Sequence, residues 1–92
     1  MDSGIYIIRN KKNGKVYIGQ SRRLSNRQYM HFHTLEKGRH FNKHLQRSYN
    51  TYGADSFTFE ILEYCGIDIL DEREKYWIEQ YDSVNCAHGY NN

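Results

Sequence analysis

Between two apolar runs, Gly4-Ile5-Tyr6-Ile7-Ile8 and Val16-Tyr17-Ile18-Gly19, lies a short polar break, Arg9-Asn10-Lys11-Lys12-Asn13-Gly14-Lys15. Its Asn-Gly step is the strongest local signal for a β-hairpin, because both residues tolerate the positive φ that tight turns need. The hairpin constrains the fold more than any other feature, since it sets two antiparallel strands, over residues 4–9 and 15–19, side by side. Pairing these strands brings the hydroxyls of Tyr6 and Tyr17 close together. At 92 residues the chain is one domain, with a compact core expected to form two layers around a short sheet.

The rest of the chain alternates helix and strand patterns. A helix opening within Ser21–Asn26 and running to about Lys37 is stopped by Gly38; on it Leu24, Arg27, His31 and Leu35 form one stripe. An arginine and a histidine on a stripe with leucines point toward the body of the protein or a cleft. A second helix spans about Phe41 to Tyr52 and closes at Gly53, with Leu45 and Tyr49, or Ser48 and Tyr52, on its inner side. Residues 57–63 alternate with period two and read as a third strand. A last helix from about Ile69 to Tyr81 carries Leu70, Glu74, Trp77, Ile78 and Tyr81 on one face, and the tail from Ser83 reads as irregular. The pattern is α+β: a small, mainly antiparallel three-stranded sheet flanked by about three helices.

Gly4-Ile5-Tyr6 and Tyr17-Ile18-Gly19 are followed in order by Arg27, His31, His40, Glu74 and Gly89-Tyr90-Asn91. With these residues the chain resembles the GIY-YIG nuclease family over essentially its whole length, and most of all the catalytic modules of phage-type and intron-encoded homing endonucleases. The resemblance implies a metal-dependent endonuclease acting on phosphodiester bonds in DNA. It implies an arginine on the first helix (Arg27), a metal-binding glutamate on a later helix (Glu74) and an asparagine near the end (Asn91). In such relatives the Gly-Tyr-Asn ending is followed by a linker and a separate DNA-binding region. The 92 residues are therefore expected to be the catalytic part of a longer protein, or else a free-standing restriction or repair nuclease. A DNA-binding module that keeps the fold without turnover is the alternative outside enzymes. Gln20 and Gln28 depart from common family residues, and neither is expected to affect a catalytic group.

Net charge is only +2, but the charges are segregated. Residues 9–47 hold eleven of the thirteen Lys and Arg against one acid, Glu36, whereas Asp55 to Asp82 holds nine acids against Arg73 and Lys75. One basic face and one acidic face are expected, the basic one facing DNA. Lys15, Arg22, Arg23, Arg39, Lys43 and Arg47 are the candidate phosphate contacts. Cys65 and Cys86 follow no disulfide or zinc spacing, and neither do the five histidines, so free thiols and no structural zinc are expected. The sequence lacks an apolar run near the roughly 20 residues that span a bilayer, and its start lacks a signal peptide, implying a soluble, cytoplasmic protein.

Glu74 is a carboxylate on an apolar stripe and needs a cation. The helix alone favours an ion pair with Arg73 or another arginine; the resemblance implies a divalent metal. With one carboxylate and no aspartate partner the ion keeps most of its waters, which suits Mg²⁺, with Mn²⁺ able to substitute. Tyr6 or Tyr17 is expected to orient or deprotonate the attacking water, Arg27 to bridge phosphate oxygens, and His31 to relay a proton or hold a phosphate. Gly19 is expected to permit close approach, Asn91 to tie the tail to the cleft, and His40 to belong to the cleft, while His44 faces solvent. Without the resemblance, Tyr6 and Tyr17 read as cross-strand core aromatics, Arg27 as an exposed helix residue and His31 as a core histidine.

Overall fold

A computed structural model describes residues 1–91. Three strands, β1 (Gly4–Asn10), β2 (Val16–Ser21) and β3 (Phe57–Tyr64), form one antiparallel sheet in the order β2-β1-β3. Three helices complete the fold: α1 (Leu24–Glu36), α2 (Lys43–Tyr52) and α3 (Leu70–Tyr81). The hairpin loop closes through Asn10 N–H to the Lys15 carbonyl at 2.9 Å, with Gly14 at φ +76°, a conformation that side chains resist.

The expected two layers are in fact three. Central strand β1 is apolar on both faces, so each face needs a cover. Tyr6 and Ile8 pack with Leu24, Leu35, Leu45, Tyr49, Phe57 and Tyr90 on the α1/α2 side. Ile5 and Ile7 pack with Val16, Ile18 and Leu70, backed by Trp77 and Ile78, on the α3 side. The charge segregation follows the layers only in part: α2, with Lys43 and Arg47, lies on one face of the sheet beside α1, whose Arg27 is balanced by Glu36, and acidic α3 lies on the other. Leu45 is fully buried, and truncating it to alanine would cost about 2–5 kcal/mol.

Element ends differ from expectation for local reasons. Helix α2 starts at Lys43 rather than Phe41, because the Asn42 side chain caps it by accepting from Leu45 N–H at 2.9 Å. Leu45, Gln46, Ser48 and Tyr49 form its buried face, and Tyr52 is exposed. Helix α3 is preceded by a 3-10 turn over Ile67–Ile69. The tail is more ordered than expected. Gly89 bridges to Val16 in parallel, and Tyr90 N–H donates to the Val16 carbonyl at 2.8 Å, which covers the open edge of β2. Tyr90 is fully buried, its hydroxyl bonded to Ser48 at 2.6 Å and accepting from the Asn10 amide at 3.2 Å. Both cysteines are free thiols, and no helix among the described residues is long and apolar enough to cross a membrane.

Candidate active site

Register places the two tyrosines. Tyr6 pairs with Gly19 and Ile8 with Tyr17, so Tyr6 and Tyr17 are diagonal neighbours on one face of the hairpin, their rings 6.4 Å apart. Gly19 lies directly under the Tyr6 phenol. A Cβ built there would overlap the Tyr6 hydroxyl and Cζ and stand 2.9 Å from Cε2, so the phenol fits only because the residue is glycine.

Helix α1 brings Arg27 and His31 to the same place. One turn apart on its inner stripe, both reach the Tyr6 hydroxyl: His31 Nε2 is hydrogen-bonded to it, and Arg27 Nε donates to it at 3.4 Å. The second ring nitrogen of His31, Nδ1, meets His40 Nε2 at 2.7 Å. His40 Nδ1 in turn accepts from the backbone N–H of Asn42 at 3.0 Å. That backbone donor assigns every proton in the line. His40 Nδ1 is an acceptor, so its proton sits on Nε2 and points at His31 Nδ1. The His31 proton then sits on Nε2 and points at the Tyr6 oxygen. Tyr6 therefore accepts from two donors and turns its own proton outward.

The electrostatics agree with neutral imidazoles. Burial lowers the His31 pKa from 6.5 to about 3, with the Arg27 charge and His40 acting in the same direction. Burial also lowers His40. Tyr6 is pushed well above the ordinary phenol value, chiefly by burial, so it is a neutral donor at neutral pH. Tyr17 is raised too, first by burial and then by the Glu74 charge, while Arg27 and a hydrogen bond from Tyr6 work against this. Tyr17 is only half-buried, and is thus the more accessible of the two hydroxyl-bearing rings.

Glu74 approaches from α3, half-buried rather than sunk in the core, and its charge is felt by both tyrosines. Arg73 is not its partner: the Arg73 guanidinium is committed to Glu63 at 2.8 Å, and Glu74 makes no ion pair among the described residues. Gln20 Nε2 instead bridges Glu74 Oε1 at 3.3 Å and Asp71 Oδ1 at 2.7 Å. Two expectations are corrected here. Gln20 does touch a candidate catalytic group, and an aspartate, Asp71, stands one helical turn from Glu74. The His31 and His40 nitrogens are all engaged in the hydrogen-bond line, and both side chains are buried, so neither can hold a phosphate or ligate a metal without breaking it.

Asn91 makes a two-pronged bond to the Ile18 backbone, accepting from its N–H and donating to its carbonyl, both at 2.8 Å. It fastens the tail beside Tyr17. His44 is half-buried against Tyr90, rings 4.8 Å apart, rather than facing solvent freely. Of the candidate phosphate contacts, Lys43 and Arg47 line one groove on α2, Arg22 and Arg23 precede α1, Arg39 lies in the α1–α2 loop, and Lys15 ends the hairpin loop just before β2. None of the six, nor Arg27, is in an ion pair among the described residues. Sequence reading missed Asn42, Gln46 and Gln20. Gln46 accepts from the His40 backbone N–H at 2.9 Å and donates to the Leu35 carbonyl at 3.0 Å, fixing the loop that carries His40. The helix-capping pattern at Asn42 was the available signal; for the two glutamines no local pattern distinguishes a bridging amide from a surface one.

A model of the GIY-YIG catalytic domain matches residues 2–91. The chain is 43% identical over 93 residues to Intron-associated endonuclease 1 of Enterobacteria phage T4, covering 99% of this chain and 37% of that protein. It thus spans little more than a third of the length of this curated relative. A mutant form of the catalytic domain of intron endonuclease I-TevI superimposes with a TM-score of 0.86 at 42% identity, covering 99% of this chain and 93% of that one. The catalytic domain of homing endonuclease I-TevI superimposes with a TM-score of 0.85 at 38% identity, covering 98% and 99%. The chain belongs to the GIY-YIG family and has the fold of a homing-endonuclease catalytic domain.

Proposed function

We propose that this chain is a divalent-metal-dependent DNA endonuclease domain of the homing type. The observation that carries the reading is the meeting of Tyr6, Tyr17, Arg27 and the His31–His40 pair at one point of the sheet, within the field of Glu74.

Hydrolysis of a phosphodiester needs a water in line with the leaving 3′-oxygen, charge neutralisation at phosphorus, and help for the departing oxygen. Arg27, free of carboxylates among the described residues, holds the non-bridging phosphate oxygens through guanidinium nitrogens that the Tyr6 bond leaves over. Tyr17, the more accessible hydroxyl, meets the attacking water. Tyr6 is held with its proton outward and donates toward Tyr17, which lowers the cost of Tyr17 releasing its proton to solvent; the resulting phenolate takes the proton of the attacking water and returns to the phenol. The water oxygen bonds to phosphorus, the bond to the 3′-oxygen breaks, and a proton from solvent neutralises the departing oxygen, so the products carry 5′-phosphate and 3′-hydroxyl. His31 and His40 touch no substrate in this scheme; they aim Tyr6.

Glu74, with Asp71 behind Gln20, offers hard oxygen donors, and these fit Mg²⁺ or Mn²⁺ with most of the coordination left to water. Such an ion, when bound, supplies positive charge against the scissile phosphate.

At a net charge of +2 the domain neutralises few phosphates, so its own binding to DNA is weak. Target choice then comes from a tethered DNA-binding module in a longer protein, which raises the local concentration of this domain. The test is nicking of supercoiled plasmid at low salt with Mg²⁺, with Mn²⁺ and with EDTA, beside Glu74→Gln. Nicking that needs metal and is lost in Glu74→Gln supports the reading. DNA binding without nicking under every condition would instead favour a binding module that keeps the fold.

A further inference from the structure

Phe41 stands out among the exposed aromatic residues by position. It is 65% exposed, yet it is held more firmly than its exposure suggests. The preceding residue, His40, is anchored through its backbone to Gln46 and through its ring to His31. The following residue, Asn42, caps α2 and donates its side-chain amide to the Tyr90 carbonyl at 2.7 Å. The Phe41 ring stacks on His40, centroids 4.5 Å apart at 24°, and stands edge-on to Tyr17 at 6.3 Å. Its position is therefore set before any partner arrives.

The ring is also a partition. On one side it lines the small cleft of Arg27, Met30, His31 and Thr34. On the other it heads an open groove of about 860 Å³, walled by Lys43 and Arg47 of α2 and by Val84 and Cys86 of the tail. That volume lies within the roughly 300–1,000 Å³ of small-ligand clefts. Cations beside an exposed aromatic face and an exposed valine suit an anionic ligand with a flat apolar part. A nucleotide has this make-up, its phosphate meeting the cations and its base the ring.

Resting on the nuclease reading above, we infer that the groove headed by Phe41 receives one unstacked nucleotide flanking the scissile phosphate, its base stacked on Phe41 and its phosphate on Lys43 and Arg47. A strand with its reactive phosphate at Arg27 must pass Phe41 to reach these cations. The ring breaks the stack at that step, as apolar wedges do in other DNA-bending proteins. The cost of unstacking is smallest where the duplex is already weakened.

Two measurements test this. The first is photo-crosslinking of iodouracil-substituted DNA to the chain in EDTA, with labelled peptides mapped by mass spectrometry. Label is expected on Phe41, retained in Phe41→Trp, absent from Phe41→Leu, and unchanged in Tyr29→Ala, which removes an exposed tyrosine of another groove. DNA bound with Phe41 unlabelled, or label confined to other aromatics, would overturn the site. The second is the nicking rate on a duplex and on the same duplex with a mismatch beside the cut. Phe41→Leu is expected to slow duplex nicking by roughly ten- to a hundredfold, the usual effect of losing one base-stacking aromatic. Phe41→Trp should retain the rate, and the mismatch should restore Phe41→Leu. Equal rates for Phe41→Leu and the parent on the duplex would refute the wedge. A chain that labels at Phe41 but nicks nothing would refute the nuclease reading and uphold the nucleotide site.

Discussion

Replacing Gly19 with alanine should disable the site through one methyl group. The added Cβ would overlap the Tyr6 hydroxyl and Cζ and stand 2.9 Å from Cε2. Carbon atoms settle at about 3.5–4.0 Å, so the ring must retreat by about 1 Å at its hydroxyl end. Tyr6 has little room for this, because it is 1% exposed and stacks on Phe59 with centroids 5.0 Å apart. Overpacking of this kind costs about 1–3 kcal/mol, a loss of stability that a small domain can survive. The same shift pulls the hydroxyl off His31 and Arg27, and a misplacement of about 1 Å in an active site can cost about a hundredfold in rate. The assay pairs thermal unfolding followed by circular dichroism with plasmid nicking. The expected result is a folded protein with lowered midpoint and nicking down by about two orders of magnitude. A Gly19→Ala chain that unfolds at the parent's temperature and nicks within threefold of its rate would refute the argument.

Stability should fall as pH drops through the range below 6.5. His31 has a folded pKa lowered to about 3, so the unfolded chain takes up a proton near pH 6.5 that the folded chain refuses until far lower. The neutral-histidine contribution is thus complete above pH 6.5 and is lost progressively as pH falls toward 3, with a slope of up to about 1.4 kcal/mol per pH unit. Urea midpoints measured between pH 7 and 4 should show this slope and a shallower one in His31→Gln; identical slopes would count against it. Asn91→Ala removes both bonds to Ile18 and should destabilise the fold by about 1–3 kcal/mol, read as a lower urea midpoint and faster amide exchange at Ile18. Unchanged exchange there would show that the tail is held by other contacts.

The fold was largely written in local patterns. Asn13-Gly14 between apolar runs fixed the hairpin, and the spacing of Leu24, Arg27, His31 and Leu35 placed both polar side chains on the inner face of α1. The third layer was less apparent, because Ile5 and Ile7 read as part of one apolar run and say little about which face is covered. At the site, the tyrosines, Arg27, His31 and Glu74 could be singled out from the sequence and its resemblance, but their linkage could not. The proton line depends on His40 reaching back across the α1–α2 loop and on a main-chain N–H at Asn42, a donor that no residue type encodes. Gln20 was passed over for a similar reason: its bridge joins β2 to α3 across some fifty residues of chain.

If Tyr17 meets the attacking water while Tyr6 is locked as an outward donor, the decisive measurement is single-turnover nicking by the parent and by Tyr17→Phe, with Mg²⁺ at low salt. The parent is expected to nick, and Tyr17→Phe to lose about 10²–10⁴ in rate, the usual share of a proton-transfer group. A Tyr17→Phe chain that nicks at the parent's rate would contradict it.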